Sequence, residues 1–334
     1  MGKHQAYDLK QMQSLPLEAK IALTESRIRD WYDHFDGEIY VSFSGGKDST
    51  VLKHIVDRMY NDVTAVFVNT GLEYPETQRF VQDIKAGKYP CYNPNVEILR
   101  PEMRFDEVLK KYGYPVVSKE VADAVGECQR NNGKNTVRLR KLRGELLDKN
   151  GKPSKYNHAK WKFLLEADFP ISGKCCDVMK KKPAKQYEKR TGRKPILGTM
   201  ATESRLRLTK WLQHGCNAFE SLRQTSQPLS FWTEQDVLQY LKEFDVPYSP
   251  VYGDIVDTSE GLKTTGCDRT GCVFCGFGCH LDKGENRFQR LKKTHPRQYD
   301  YCINGGETVD GKWIPSKEGL GLGRVLDFLG VKYE

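Results

Sequence analysis

The sequence lacks any long run of apolar residues. No stretch of its 334 residues approaches the ~20 consecutive apolar residues that cross a membrane as a helix. The opening segment, MGKHQAYDLKQMQ, also lacks the apolar centre of a signal peptide. We therefore expect a soluble, non-exported protein of the cytoplasm that has no membrane partner.

Acidic residues are in the minority, because 44 Asp and Glu stand against 53 Lys and Arg, a formal net charge of +9. This excess favours an anionic partner such as a nucleotide or a nucleic acid. The hydrophobic fraction of 38% excludes a disordered chain and allows a sizeable core. Without an export signal, the ten cysteines indicate metal or redox chemistry rather than a disulfide framework.

Strand and helix patterns alternate along the chain. This alternation predicts an α/β fold with a mostly parallel sheet, and such sheets bind ligands at the carboxyl ends of their strands. The predicted helices are residues 15–35, 49–59, 287–294 and 323–329, and the predicted strands are residues 38–44, 63–69, 96–99 and 195–197.

We divide the chain into three consecutive segments. Residues 1–36 are expected to be helical, residues 37–260 to form the nucleotide-binding α/β domain, and residues 261–334 to form a cysteine-rich metal-binding region with further helices. A basic insertion of about 130–162 is expected to project from the α/β domain.

The basic insertion contains Arg138, Arg140, Lys141 and Arg143 in the run TVRLRKLRG. Such a run can neutralise phosphates, which gives salt-dependent binding without reading sequence. Aromatic residues alternate with lysines further along, as in proteins that bind single strands. The insertion could therefore hold a nucleic-acid acceptor, and the alternative is a basic helix whose charges are only solvated.

Residues 44–49 have the sequence SGGKDS and lie between a predicted strand and a predicted helix. The two glycines let amide N–H groups approach an anion, and the helix N-terminus and Lys47 add positive charge. The hydroxyls of Ser44 and Ser49 can donate to phosphate oxygens, and Asp48 can cap the helix or help to hold Mg²⁺. The spacing differs from that of a Walker A loop. The pattern predicts a phosphate-binding loop, which we call the 44–49 loop.

Two groups of cysteines have the spacing of metal ligands. Cys175 and Cys176 are adjacent, and a second group follows the pattern C-x4-C-x2-C-x3-C between Cys267 and Cys279. Thiolates at such spacing can bind one metal from a tight turn. Zinc and a [4Fe–4S] cluster make similar demands on their ligands, so the spacing leaves both open.

Four motifs in register resemble the PAPS reductase family of the PP-loop ATP pyrophosphatase superfamily. The 44–49 loop is similar to the PP-loop itself, and residues 69–77 (NTGLEYPET) are similar to the TGxExPET segment. Residues 198–205 (GTMATESR) are similar to GxRxxES, and residues 228–237 to PLxxWxxxDV. The likeness covers about residues 38–280 and implies a Rossmann-like fold.

The resemblance implies an adenine nucleotide, either ATP with Mg²⁺ or one of the sulfonucleotides APS and PAPS. Catalytic roles would fall to Lys47 and Asp48. Met200 stands where the family often has arginine, and Arg205 or Arg207 could compensate. The implied nucleotide-binding residues are Ser44, Gly45, Gly46, Lys47, Asp48, Ser49, Thr70, Gly71, Glu73, Glu203, Ser204 and Arg205.

The cysteines also resemble part of this family, because some APS reductases bind a [4Fe–4S] cluster through a Cys-Cys pair and a distant CxxC. Cys175, Cys176, Cys272 and Cys275 match that layout. Cys267 or Cys279 could replace one member of the pair. The rival is a zinc site built from the four cysteines of the second group alone.

Two enzymatic hypotheses follow. In the first, ATP adenylylates an acceptor and a sulfur donor then displaces AMP. In the second, a thiol reductant protein reduces APS or PAPS to sulfite. The thiol-dependent reductases resembled here end in a Glu-Cys-Gly-Leu-His tail, which the ending GLGRVLDFLGVKYE does not match, so the first is preferred. A non-catalytic nucleotide-binding subunit with structural zinc is a third hypothesis, and a homodimer is compatible with each.

Overall fold

The computed structural model describes residues 4–131, 136–282 and 284–334. The chain forms two compact units: unit 1 is Met1–Asn69, Glu73–Arg100 and Pro183–Thr270, and unit 2 is Thr70–Leu72, Pro101–Lys182 and Gly271–Glu334. The units interleave along the chain, which differs from the expected division at residues 36 and 260. The N-terminal helices belong to unit 1 because they pack on its sheet, and the insertion belongs with the C-terminal residues in unit 2.

The first half of the chain contains α1 (Ala6–Gln13), α2 (Leu17–His34), β1 (Ile39–Phe43), α3 (Lys47–Met59), β2 (Thr64–Val68), α4 (Pro75–Lys85), β3 (Val96–Leu99), α5 (Phe105–Tyr112), β4 (Val116–Val117), α6 (Lys119–Arg130) and α7 (Val137–Arg143). The second half contains α8 (Lys182–Thr191), β5 (Lys194–Leu197), α9 (Arg205–His214), β6 (Asn217–Ala218), β7 (Thr225–Ser226), α10 (Glu234–Glu243), β8 (Ile255–Thr258), β9 (Gly261–Thr264), β10 (Gly276–Phe277), α11 (Arg287–Thr294), α12 (Pro296–Ile303), β11 (Glu307–Val309), β12 (Lys312–Ile314) and α13 (Leu322–Phe328). The helices and strands predicted from the sequence are confirmed to within about two residues at each end.

Unit 1 is built around a six-stranded sheet in the order β3-β2-β1-β5-β7-β6. Neighbouring strands run parallel except for the edge pair β6 and β7, which is antiparallel. The predicted mostly parallel sheet is therefore confirmed. Since Val41 of β1 lies between Ala65 of β2 and Ile196 of β5, β1 is a central strand.

The core of unit 1 explains why β1 is apolar almost throughout. Strands of a parallel sheet are covered on both faces, so they read as continuous apolar runs rather than alternating ones. Ile28 and Trp31 of α2 and Val51 and Leu52 of α3 are fully buried in the same cluster as the strand residues. This packing fixes the start of α3, and with it the 44–49 loop.

The strand order reverses between β1 and β5, because β2 and β3 are added on one side of β1 while β5 pairs on the other side. Ligands of open α/β sheets bind at such a switch point, outside the carboxyl ends of the strands. The 44–49 loop follows β1, and a second loop that begins at Gly198 follows β5. A Cβ atom at Gly198 would lie 2.9 Å from the Asp48 carbonyl oxygen, so glycine permits the two loops to touch.

Unit 2 is held together by short strands and helices. The strand β4 pairs in parallel with β10, and β11 pairs with β12 as a hairpin. The Tyr114 hydroxyl donates to the Leu320 carbonyl at 2.8 Å, which ties the first part of the unit to its end. None of the helices in the described ranges is both long and apolar enough to span a bilayer.

Candidate nucleotide site and cysteine cluster

The 44–49 loop is a tight turn whose hydroxyls face one another. Gly45 has a left-handed backbone, with φ of +70°, and Gly46 is the N-cap of α3. The hydroxyls of Ser44 and Ser49 lie 2.9 Å apart, and the Gly46 amide donates to the Ser44 hydroxyl at 3.3 Å. The loop therefore places two hydroxyls at the N-terminus of a helix, where anions commonly bind.

Lys47 is held in place by contacts from distant parts of unit 1. Its side chain is buried, and its Nζ donates to the Asp268 carbonyl at 2.5 Å and pairs with Glu234 at 3.0 Å. Its amide donates to the Tyr252 hydroxyl at 3.1 Å, and Nζ lies 5.4 Å from the centre of that ring. The cation is thus fixed at the loop instead of moving in solvent.

Asp48 has a buried oxygen, Oδ1, that accepts no hydrogen bond from any described residue. Burial raises the pKa of this carboxyl, while the nearby charges of Lys47, Arg269 and Arg207 oppose the rise. A carboxylate oxygen is the donor that Mg²⁺ prefers, and Mg²⁺ is commonly held by one or two carboxylates together with substrate phosphates. The residues present therefore fit a magnesium ion that is bound with the nucleotide.

Glu203 lies on the loop that follows β5 and forms ion pairs with two arginines from other parts of unit 1. Its carboxylate accepts the Met200 amide at 3.0 Å, pairs with Arg269 at 2.7 Å, and also pairs with Arg207. Burial lowers the pKa of Arg207, and the neighbouring Arg269 lowers it further. Glu203 therefore pairs with two cations, and its nucleotide-binding role stays a prediction.

The two residues that follow Glu203 are placed differently. The Ser204 hydroxyl accepts the amide of Arg207 at 3.2 Å and so caps α9. Arg205 is exposed at the first position of α9. Of the two arginines named as substitutes for the family's arginine, Arg207 is the one that lies beside Glu203 and near Asp48.

The segment after β2 is divided between the units. Thr70 and Gly71 belong to unit 2, where the Thr70 hydroxyl accepts the Leu72 amide at 3.2 Å and Gly71 has φ of +75°. Glu73 belongs to unit 1, and its carbonyl accepts the Gln78 side chain at 3.2 Å. Their nucleotide-binding role stays a prediction.

Sequence reasoning did not identify Tyr252, Arg269 or Thr270 as site residues. Tyr252 and Thr270 lie over the loop, since a Cβ atom at Gly46 would be 3.3 Å from the hydroxyl oxygen of each. No motif marks these residues, and they follow the loop by about 200 positions in the chain. Only the folded contacts of unit 1 bring them to it.

The four cysteines of the predicted cluster line one small cavity in unit 2. Cys175 and Cys176 begin the helical turn that leads into α8, and Cys272 and Cys275 lie on a turn closed by a 3.0 Å backbone hydrogen bond. Apolar side chains surround them. The cavity is lined by Cys175, Cys176, Cys272 and Cys275 with Leu72, Phe105, Pro115, Met179 and Lys180.

The pKa values of the adjacent thiols Cys175 and Cys176 are shifted in opposite directions. The Cys175 thiol donates to the Cys176 sulfur at 3.9 Å; this hydrogen bond raises the pKa of Cys175 and lowers that of Cys176 to about 6, helped by Lys180 and Lys119. Burial raises the pKa of Cys275 to about 11. A metal would favour the thiolate form of all four.

Two further cysteines lie elsewhere. Cys279 is buried with its thiol donating to the Gly276 carbonyl at 3.1 Å, and Cys267 belongs to unit 1. No three Cys, His, Asp or Glu side chains in the described ranges stand in ready-made metal geometry. The fit of a cluster therefore rests on its donor chemistry, four soft thiols around one apolar cavity.

The basic insertion carries both paired and unpaired cations. Arg138 pairs with Glu127, and Lys141 pairs with Glu120 at 2.7 Å. Arg140 and Arg143 are exposed and form no ion pair with any described residue. Residues 132–135 of the predicted insertion lie outside the described residues.

Comparison with known proteins shows similarity to sulfonucleotide enzymes. A family model described as the phosphoadenosine phosphosulfate reductase domain matches residues 38–132 and 119–276. An adenosine 5'-phosphosulfate reductase of Bacillus cereus is 22% identical over 320 residues, which are 95% of this chain and 92% of that protein. One from Staphylococcus epidermidis is 24% identical over 226 residues, which are 66% and 68% of the two chains.

Other similar proteins differ in length or are distant. An uncharacterized protein of Methanocaldococcus jannaschii is 24% identical over 281 residues, 83% of this chain and 43% of its own length. The chain spans about half the length of the first relatives that it matches. Among solved structures, the phosphoadenylyl-sulfate (PAPS) reductase from Candida auris in its phosphate complex is similar with a TM-score of 0.38 and 18% identity, covering 68% of this chain and 82% of that one.

Proposed function

Because the chain belongs to the phosphoadenosine phosphosulfate reductase domain family, we propose that it is an enzyme of sulfur metabolism whose 44–49 loop binds the anionic end of an adenine nucleotide. The observation that carries the proposal is the position of the loop at the switch point of the sheet. Lys47, Arg207 and Arg269 supply positive charge there. Their field would stabilise the phosphate of the nucleotide as a leaving group.

The first candidate substrate is APS or PAPS, and the support is that several relatives are named adenosine 5'-phosphosulfate reductase. Reduction of the sulfate-level sulfur to sulfite takes two electrons. Two thiols of an external reductant protein would supply them and become a disulfide, while the adenine nucleotide leaves with its phosphate.

The second candidate substrate is ATP with Mg²⁺, and the buried Oδ1 of Asp48 favours it. This oxygen has no hydrogen-bond donor among the described residues, and a magnesium ion bound to the nucleotide would supply its missing partner. An acceptor oxygen would then take the AMP group as pyrophosphate leaves, and sulfur from a donor would displace AMP.

We further propose that Cys175, Cys176, Cys272 and Cys275 hold a [4Fe–4S] cluster, with zinc as the alternative. The support is that these four thiols line one cavity of unit 2. A bound cluster would supply a redox-capable centre in that unit.

The nucleic-acid acceptor is proposed for the exposed side of α7. Replacing Arg140 and Arg143 with alanine should weaken binding of a fluorescent single-stranded oligonucleotide and flatten its salt dependence. The control is Lys110→Ala with Lys111→Ala, which removes two exposed charges from α5 of the same unit. Equal losses in both variants would mean that only net charge matters.

One experiment separates the candidate reactions. The protein is purified without oxygen and incubated with APS, PAPS and ATP in separate samples, with dithiothreitol and with or without Mg²⁺. Sulfite from a sulfonucleotide supports the reductase, and Mg²⁺-dependent pyrophosphate release from ATP supports the adenylylating enzyme. Binding without any product would support the non-catalytic subunit.

The variant Lys47→Ala tests the site itself in the same assay. Removing a fixed cation should weaken nucleotide binding by about tenfold or more, as for a hydrogen bond to a charged group. The control is Lys10→Ala, which removes an exposed charge from α1 of the same unit. Unchanged affinity in Lys47→Ala would remove the loop from the proposal.

A further inference from the structure

Two hydroxyls outside the sequence motifs lie over the 44–49 loop. Tyr252 is 2% exposed, and its hydroxyl oxygen lies 2.7 Å from the hydroxyl oxygen of Thr270. The Tyr252 hydroxyl also accepts the amide of Lys47 at 3.1 Å. The backbone amide of Lys47, the phenol and the threonine therefore form one chain of hydrogen bonds.

The direction of this chain follows from burial. If Thr270 donated to Tyr252, the phenolic proton would be buried without an acceptor among the described residues, and an unmade buried hydrogen bond is costly. If Tyr252 donates to Thr270, the Lys47 amide proton and the phenolic proton both have an acceptor. The proton left over is then that of the Thr270 hydroxyl, which is only partly buried.

The position of Thr270 is fixed by the backbone around it. The Gly266 amide donates to the Tyr252 carbonyl at 2.8 Å, and the Cys267 amide donates to the Val251 carbonyl at 3.0 Å. The Asp268 carbonyl accepts Nζ of Lys47. The segment that carries Thr270 is therefore attached both to the turn that carries Tyr252 and to the loop.

We infer that Thr270 is a binding residue for the anionic group of the nucleotide and that its hydroxyl donates to an oxygen of the phosphate or sulfate held at the loop. Tyr252 is the positioning residue that orients the Thr270 hydroxyl. This inference rests on the proposed function, because it adds a donor to the same site. It assigns an anion contact to a segment that lies far from the loop in sequence.

The test compares variants by calorimetric titration with APS and with ATP. Thr270→Val keeps the shape but removes the donor, so its Kd should rise by about tenfold. Thr270→Ser keeps the donor and should bind within about twofold of the wild type. Tyr252→Phe should weaken binding in the wild-type background and have a smaller effect in the Thr270→Val background, since residues of one network are not additive.

The matched control is Tyr248→Phe, which removes a hydroxyl that donates to the Gly253 carbonyl instead. Its affinity should stay at the wild-type value. Thermal unfolding of each variant separates loss of fold from loss of binding.

Wild-type affinity in Thr270→Val, or equal losses in the serine and valine variants, would overturn the inference while leaving the proposed function intact. If Thr270→Val does not fold, Tyr252→Phe is the test instead. Unchanged nucleotide binding in Tyr252→Phe would also overturn the inference. A wild-type protein that binds neither nucleotide would overturn both proposals.

Discussion

The two glycines of the 44–49 loop are needed for different steric reasons. Gly45 has a left-handed backbone, and a Cβ atom there would lie 2.6 Å from a methyl carbon of Thr77. Gly46 has an ordinary extended backbone, but three hydroxyl oxygens surround the place of a Cβ atom at 3.3 Å. The first glycine therefore makes the turn, and the second leaves room for the hydroxyls of the site.

Gly45→Ala should destabilise the protein more than Gly192→Ala does. Both glycines have a left-handed backbone, which costs alanine about 1–2 kcal/mol, but nothing lies within 4 Å of a Cβ atom at Gly192. The contact with Thr77 adds an overpacking cost of about 1–3 kcal/mol at Gly45 alone. Urea denaturation of both variants measures the difference, and equal losses would show that the loop relaxes around the methyl group.

The residues of the loop could be predicted from the sequence, whereas those that cover it could not. Lys47 and Asp48 lie within one short motif between a strand and a helix, so local chemistry indicates their role. Tyr252, Arg269 and Thr270 come near the loop only through contacts between residues more than 200 positions apart in the chain. Nothing in the local pattern around those three residues specifies such contacts.

At the scale of elements, α3 carries a buried ion pair behind the loop. Lys53 and Asp57 are almost fully buried and pair at 2.7 Å. Lys53 also donates to the Asn93 carbonyl at 2.9 Å, and Asp57 accepts the Asn93 amide at 3.0 Å. The pair therefore attaches α3, and the loop at its start, to the segment that precedes β3.

Removing one partner of this pair should lower the free energy of unfolding more than replacing both partners does. A lone buried charge typically costs about 3–5 kcal/mol, while replacing both partners by apolar residues is often neutral. We expect Lys53→Met and Asp57→Leu each to lower the free energy of unfolding by about this amount, and the double variant to lose less than the sum. Additive losses in urea denaturation would contradict the coupling.

At the scale of the whole molecule, the sequence predicts the sheet but not the interleaved units. The strands β1, β2 and β3 follow one another with helices between them, so their alternation is visible along the chain. Unit 2 instead joins β4 to β10, which lie far apart in sequence and have two residues each. Strands this short carry no period, so their pairing cannot be predicted from the pattern.

The cysteines of unit 2 allow the cluster proposal to be tested on the whole protein. We expect Cys176→Ala and Cys272→Ala to lose iron and sulfide, because each removes one of the four thiols that line the cavity. Cys279→Ala should retain iron and sulfide, since the Cys279 thiol donates a hydrogen bond to the Gly276 carbonyl and is not among the residues that line that cavity. Metal and sulfide analysis after anaerobic purification measures each content, and nucleotide affinity in the same samples reports whether unit 1 is folded.

Each result of that analysis distinguishes one ligand set from another. Loss of iron in Cys279→Ala would favour the local set of Cys267, Cys272, Cys275 and Cys279. One zinc and no iron in the wild type would replace the cluster by a structural metal. Retained iron and sulfide in Cys272→Ala would contradict both sets, because Cys272 is common to them, and the ligands would then have to be sought elsewhere in the chain.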